Sequence, residues 1–91
     1  MSKKLFDLGQ IVATTGARAL GVDLSLYIGM HQRGYWGDVC QEDWRENDLS
    51  VKEGFRILSV YTTQNEQKKD KIYIITEHDR SATTVLLPSE Y

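Results

Sequence analysis

The stretch that decides the fold is Lys71-Ile72-Tyr73-Ile74-Ile75-Thr76-Glu77-His78-Asp79-Arg80-Ser81-Ala82-Thr83-Thr84-Val85-Leu86-Leu87-Pro88-Ser89-Glu90-Tyr91. Residues 72–76 and 83–87 are β-branched or apolar, the types that fit a pleated, half-buried surface. The polar knot 77–81 between them is long enough to reverse the chain. The reading is a hairpin with strands 71–77 and 83–87. Pro88 ends the second strand because it has no N–H to give to a ladder. Asp79 is expected to brace the turn with its own side chain, and Arg80 to pair with Glu77.

Immediately upstream the pattern has a period of two. Phe55, Ile57, Ser59 and Tyr61 fall on one face, and Arg56, Leu58, Val60 and Thr62 on the other. Both faces carry apolar groups, so this strand is expected at the centre of the sheet. Residues 64–70 are polar throughout and read as a mobile hairpin loop.

The N-terminal half reads as cover for this sheet. Residues 8–14 form a short strand of undetermined place in the sheet. Thr14 and Thr15 can cap a brief helix across 16–20, which Gly21 closes. Asp23 caps a second helix, 24 to about 32, whose Leu24, Leu26, Tyr27, Ile28 and Met30 surround most of its circumference, as in a mostly buried helix. After Gly34-Tyr35-Trp36-Gly37, Asp38 with Gln41 resembles a capping box and starts a third helix that ends at Gly54. Cys40, Trp44 and Val51 share one side of it, which predicts a buried packing role for Cys40. The fold class is therefore α+β: one domain, 1–91, with a short N-terminal strand and three helical segments packed on an antiparallel β-meander.

Composition bounds the function classes. Ninety-one residues, 41% hydrophobic and 26% charged, make one ordinary globular domain rather than a disordered chain. A single cysteine permits no internal disulfide, and the apolar run after Lys3 and Lys4 is too short for a signal peptide. No run reaches the ~20 apolar residues of a membrane helix. A cytoplasmic location is expected, with no membrane partner.

The net charge of −2 hides an uneven distribution. Six acids (Asp38, Glu42, Asp43, Glu46, Asp48, Glu53) face two bases (Arg45, Lys52) within 38–53, a local net of −4 that leaves +2 elsewhere. A solvated helix face is the plain explanation. The sharper one is a surface offered to a basic protein, made of Tyr35, Trp36, Glu42, Asp43 and Glu46. Trp36 is read first as a core plug, and as an anchor only if exposed.

Chemistry-bearing residues are sparse. His31 and Cys40 could be base and nucleophile, but they lie on different helices without a strained or glycine-rich setting. Two histidines and one cysteine without metal-ligand spacing make no metal set, and no cofactor fingerprint is present. His31, Arg56, Glu77, Asp79 and Arg80 could gather at the sheet end into a polar site for an anion or for acid–base work, the reading of a small enzyme or ligand-binding protein. Lys68, Lys69 and Lys71 with Arg56 and Arg80 offer a third reading, a nucleic-acid accessory protein. It lacks an aromatic platform or recognition helix. Nothing sets the oligomeric state.

Three segments together carry a resemblance: His31-x-Arg33-Gly34-x-Trp36-Gly37-Asp38; Arg56-Ile57-Leu58-Ser59-x-Tyr61; and Ile75-Thr76-Glu77-x-Asp79-Arg80-Ser81-x-Thr83-Thr84-x-Leu86-Leu87-Pro88-Ser89-Glu90-Tyr91. Over nearly the whole chain after Leu8 they resemble a family of small bacterial proteins of unknown function, borne on plasmids and prophages. The chain departs from the pattern at Thr15, where the family often has proline. The resemblance implies a mobile-element origin and no established catalytic residue. Combined with the acidic face, it leads to the expectation of a protein-binding module, a counter-defence inhibitor of anti-restriction or anti-CRISPR type.

Overall fold

The computed structural model describes residues 3–65 and 68–91. In chain order these form β1 (Gln10–Ala13), α1 (Thr15–Arg18), α2 (Leu24–Gln32), α3 (Gln41–Glu53), β2 (Ile57–Asn65), β3 (Lys68–Thr76), β4 (Ala82–Leu86) and a 3₁₀ turn, Pro88–Glu90. The sheet order is β1-β4-β3-β2. The hairpins β2–β3 and β3–β4 are the antiparallel meander, and β1 joins β4 in parallel, with Gln10 beside Ala82 and Ala13 beside Val85. This is an α+β fold.

The period-two pattern selects the core. Ile57, Ser59, Tyr61 and Thr63 of β2, Ile72, Ile74 and Thr76 of β3, and Thr83 and Val85 of β4 are all buried on one face. Each fully buried Ile or Val there contributes on the order of 1.5–3 kcal/mol by transfer from water. α1 contributes Ala17, and α2 lays Leu24, Tyr27, Ile28 and Met30 against the same cluster. Thr14 starts α1 by accepting from the Ala17 N–H (3.1 Å), and Asp23 starts α2 by accepting from the Ser25 N–H (3.1 Å). Two sheet layers would have sealed α2 on all sides. Here it lies on one face of one sheet, so Leu26 is 58% exposed and His31 is its sole fully buried residue.

β2 is an edge strand, not the central one its two apolar faces suggested. Its edge is closed by groups from outside the sheet. Asn47 of α3 donates to the Leu58 carbonyl (2.7 Å) and accepts from the Leu58 N–H (3.3 Å). The Val60 N–H donates to Trp36 O (3.1 Å), and the Asp38 N–H donates to Val60 O (2.6 Å). Two residues further, the Thr62 hydroxyl donates to the Asp38 carboxylate (2.6 Å). Such cover removes the hazard of an open edge. Gly37 makes the close approach: its φ is +81°, and a Cβ there would lie 1.9 Å from Val60 O.

Two boundaries differ from expectation. The loop read over 64–70 is mostly strand, because β2 runs to Asn65 and β3 resumes at Lys68, which pairs with it; Glu66 and Gln67 lie outside the described residues. Threonines and a polar face suffice for a strand once one side is packed. α3 begins at Gln41 with Cys40 at its N-cap, not at Asp38, whose carboxylate and N–H are both committed to β2. Among the described residues no helix is long and apolar enough to cross a membrane.

Candidate functional site

The second face of β2 has a use that its edge position explains. Leu58 and Val60, with Tyr73 beside Val60 on β3, form the floor of a groove of about 620 Å³. α3 supplies one wall through Asp43, Glu46, Asn47 and Ser50. Asp38, Val39 and Cys40 precede the helix at one end, and Phe55 and Arg56 follow it at the other. The floor is apolar and aromatic, while three carboxylates face a single guanidinium. Arg56 is itself engaged: it donates to the Tyr91 hydroxyl (2.5 Å), and its guanidinium lies 5.7 Å from the Tyr91 ring centre. The Tyr91 ring in turn stands edge-on to Tyr73 at 5.6 Å.

The expected partner surface is divided by the structure. Asp43 and Glu46 line the groove, whereas Glu42 is exposed outside it. Tyr35 is half exposed, and its carbonyl accepts the Tyr61 hydroxyl. Trp36 cannot serve as a surface anchor: it is fully buried, with its indole N–H donating to Asp48 (3.0 Å). Of the groove's other residues, the period-two pattern puts Arg56, Leu58 and Val60 on one face, while Asn47, Ser50, Phe55 and Tyr73 come to it with no such signal.

The five polar residues lie near one end of the sheet, but of them only Arg56 lines the groove. His31 is sealed in the core between the hydroxyls of Ser59 (2.5 Å from Nδ1) and Thr76 (2.8 Å from Nε2). The next link fixes its tautomer. Thr83 spends its proton on the Leu8 carbonyl (2.7 Å), so the Thr76 hydroxyl donates to Thr83 (2.7 Å) and accepts from His31 Nε2–H, leaving Nδ1 to accept from Ser59. Burial first, and the Arg80 charge second, push its pKa down to about 3, so it is neutral at ordinary pH.

Arg80 is a structural clasp with a left-handed backbone (φ +60°). Its guanidinium donates to the carbonyls of Phe55 (2.7 Å), Ser50 (2.8 Å) and Glu77 (3.1 Å), so it meets Glu77 through the main chain, not the carboxylate. It also lies 5.5 Å from the centre of the Phe6 ring. Asp79 braces the turn as expected, accepting from the Ser81 N–H (3.0 Å), and the Ser81 hydroxyl and amide hold its carboxyl below the usual range. Arg56 stands apart, with Tyr91. The basic residues are spread along the strand as well: Lys71 pairs with Thr62 and Arg56 precedes Ile57, a separation of about 20 Å at about 3.3 Å per residue.

Cys40 is exposed and lines the groove, against the expectation of a packing role. The later helix start leaves it at the N-cap with extended backbone (ψ 166°), ahead of the helix and not within it. A bulky thiol reagent should therefore label the folded protein at nearly the rate of the unfolded chain. Strong protection of Cys40 in the folded state would contradict this placement. Among the described residues no three His, Cys, Asp or Glu side chains gather as a metal ion would require. No family model matches the chain, and neither a curated protein nor a solved structure matches it significantly.

Proposed function

We propose that this protein is a binding module for another protein, and that the groove between α3 and the outer face of β2 and β3 receives a basic segment of that partner. The observation that supports this most is the pairing of an apolar floor, Leu58, Val60 and Tyr73, with the carboxylates of Asp38, Asp43 and Glu46 on the rim. An arginine or lysine side chain lays its alkyl stem on such a floor and its charge against such a rim. Rim charges act mainly on association rate and are screened over about 8 Å at physiological salt. The narrower reading, an inhibitor carried by a mobile element against a restriction or CRISPR system, draws on the sequence resemblance alone.

The test uses fluorescently labelled peptides that alternate Arg or Lys with apolar residues, and matched peptides carrying Glu instead. Binding of the basic set in low salt should weaken at least tenfold when Asp43 and Glu46 are both changed to lysine, and should fade with added salt. Equal affinity of the charge-reversed protein for the basic peptides would sink the reading, since α3 would then be only a solvated face.

A further inference from the structure

The two edges of the sheet are treated in opposite ways. β2 has its outward groups met one after another by Asn47, Trp36 and Asp38. β1 does not. In its parallel ladder the Gln10 N–H bonds Ser81 O (2.9 Å) and the Thr14 N–H bonds Val85 O (3.0 Å), so the even-numbered residues face β4. Ile11 and Ala13 turn their N–H and C=O groups away from the sheet, and among the described residues nothing meets them. The strand is uncharged, Gln-Ile-Val-Ala, with Ile11 51% and Val12 42% exposed. Shortness is the one blunting device it has, four residues in all; it carries no lysine, no proline and no inward charge.

We propose that β1 is a homodimer seam, pairing antiparallel with β1 of a second copy to make one continuous eight-stranded sheet. The occupant is a second copy because the edge is complementary to itself. With a twofold axis at Val12, Ile11 of each chain exchanges both backbone bonds with Ala13 of its mate, so two donors and two acceptors on each side are all satisfied by four hydrogen bonds. Val12 then faces Val12 across the axis as a close, non-bonded pair, and Ile11 covers the mate's Ala13 on the other face. The seam lies at the edge of the sheet opposite the groove edge, so it is independent of the binding role assigned there.

A seam of four residues is small, so the dimer should be weak and reversible. Sedimentation equilibrium should give a mass that climbs from 10.4 kDa toward twice that value as concentration rises. Val12→Lys and Val12→Glu, each alone, place like charges across the axis and should stay at one chain. An equimolar mixture of the two should associate more tightly than either. Ile11→Pro removes only an outward N–H, and should also give one chain while leaving the β1–β4 ladder intact. A wild-type mass of one chain up to about 1 mM overturns the proposal, and assigns the edge at most to a foreign strand. So does a dimer that persists in both charged variants, or a mixture that behaves like its parts.

Discussion

Between pH 6.5 and about 4.5 the unfolding free energy of this protein should fall by up to 1.36 kcal/mol per pH unit, the slope of one proton taken up on unfolding. The proton belongs to His31. Its folded pKa is lowered from 6.5 to about 3, so above pH 6.5 both states are neutral there and stability is complete. Below 6.5 the unfolded chain takes the proton and the folded core refuses it, so stability drains as pH falls toward 3. The whole effect is on the order of 3–5 kcal/mol, a large part of the roughly 5–14 kcal/mol that a domain of this length holds. The upper half of the window isolates the histidine. Asp79 and Glu90, whose carboxyls are also held low, lose their contributions only as pH falls below their ordinary values, 3.8 and 4.5. His31→Gln is the control: its amide can donate to Thr76 and accept from Ser59 but does not titrate. Denaturant titrations across pH should show the slope in the wild type and its loss in the variant. Equal slopes would mean that His31 is not the proton acceptor.

Trp36→Ala should cost about 3–5 kcal/mol of stability, the range for truncating a large aromatic in a packed core. The indole is fully buried, stacked on Phe6 (6.2 Å between centres, 21° between planes) and edge-on to His31 (5.8 Å). It also donates the bond to Asp48 that ties the 36–38 segment to α3. Removing it opens a cavity beside the neutral histidine and frees the segment that covers the β2 edge. Tyr35→Ala, next along the chain but half exposed, should cost under about 1 kcal/mol. Unfolding free energies of both variants check the contrast. A Trp36→Ala loss below 1 kcal/mol would contradict the burial.

What was readable in the chain was the periodicity. Alternation over 55–62 and 71–87, the caps at Thr14 and Asp23, and the stops at Gly54 and Pro88 placed the α+β elements to within a few residues. Periodicity does not carry the identity of a strand's neighbour. β2 has two apolar faces, the mark of a central strand, yet one face is the groove floor and its edge is sealed by Asn47, an amide in the middle of an acidic helix. The Asn47 pincer is a tertiary contact with no local signal. The same is true of His31, a neutral link between Ser59 and Thr76 that no local pattern announces. Cys40 turned on a shift of the helix start, which reversed its exposure. The acidic excess over 38–53 was legible, and Asp43 and Glu46 do reach the groove. Their apolar counterpart, Tyr73, lies on another strand and was not.

The place of β1 also sets an order of events. Gln10 must find Ala82, and Thr14 its partner Glu90, whose carboxylate accepts the Thr14 hydroxyl (2.7 Å). The meander, by contrast, closes through neighbours in the chain. Closing so long a loop costs conformational entropy before any contact rewards it. During synthesis β1 therefore emerges first and docks last, waiting without its ladder while the three strands it depends on are made. A destabilised β4 should then reveal itself as early release of the segment before α1, seen as faster amide exchange at Val12 and Thr14 than at Ile74.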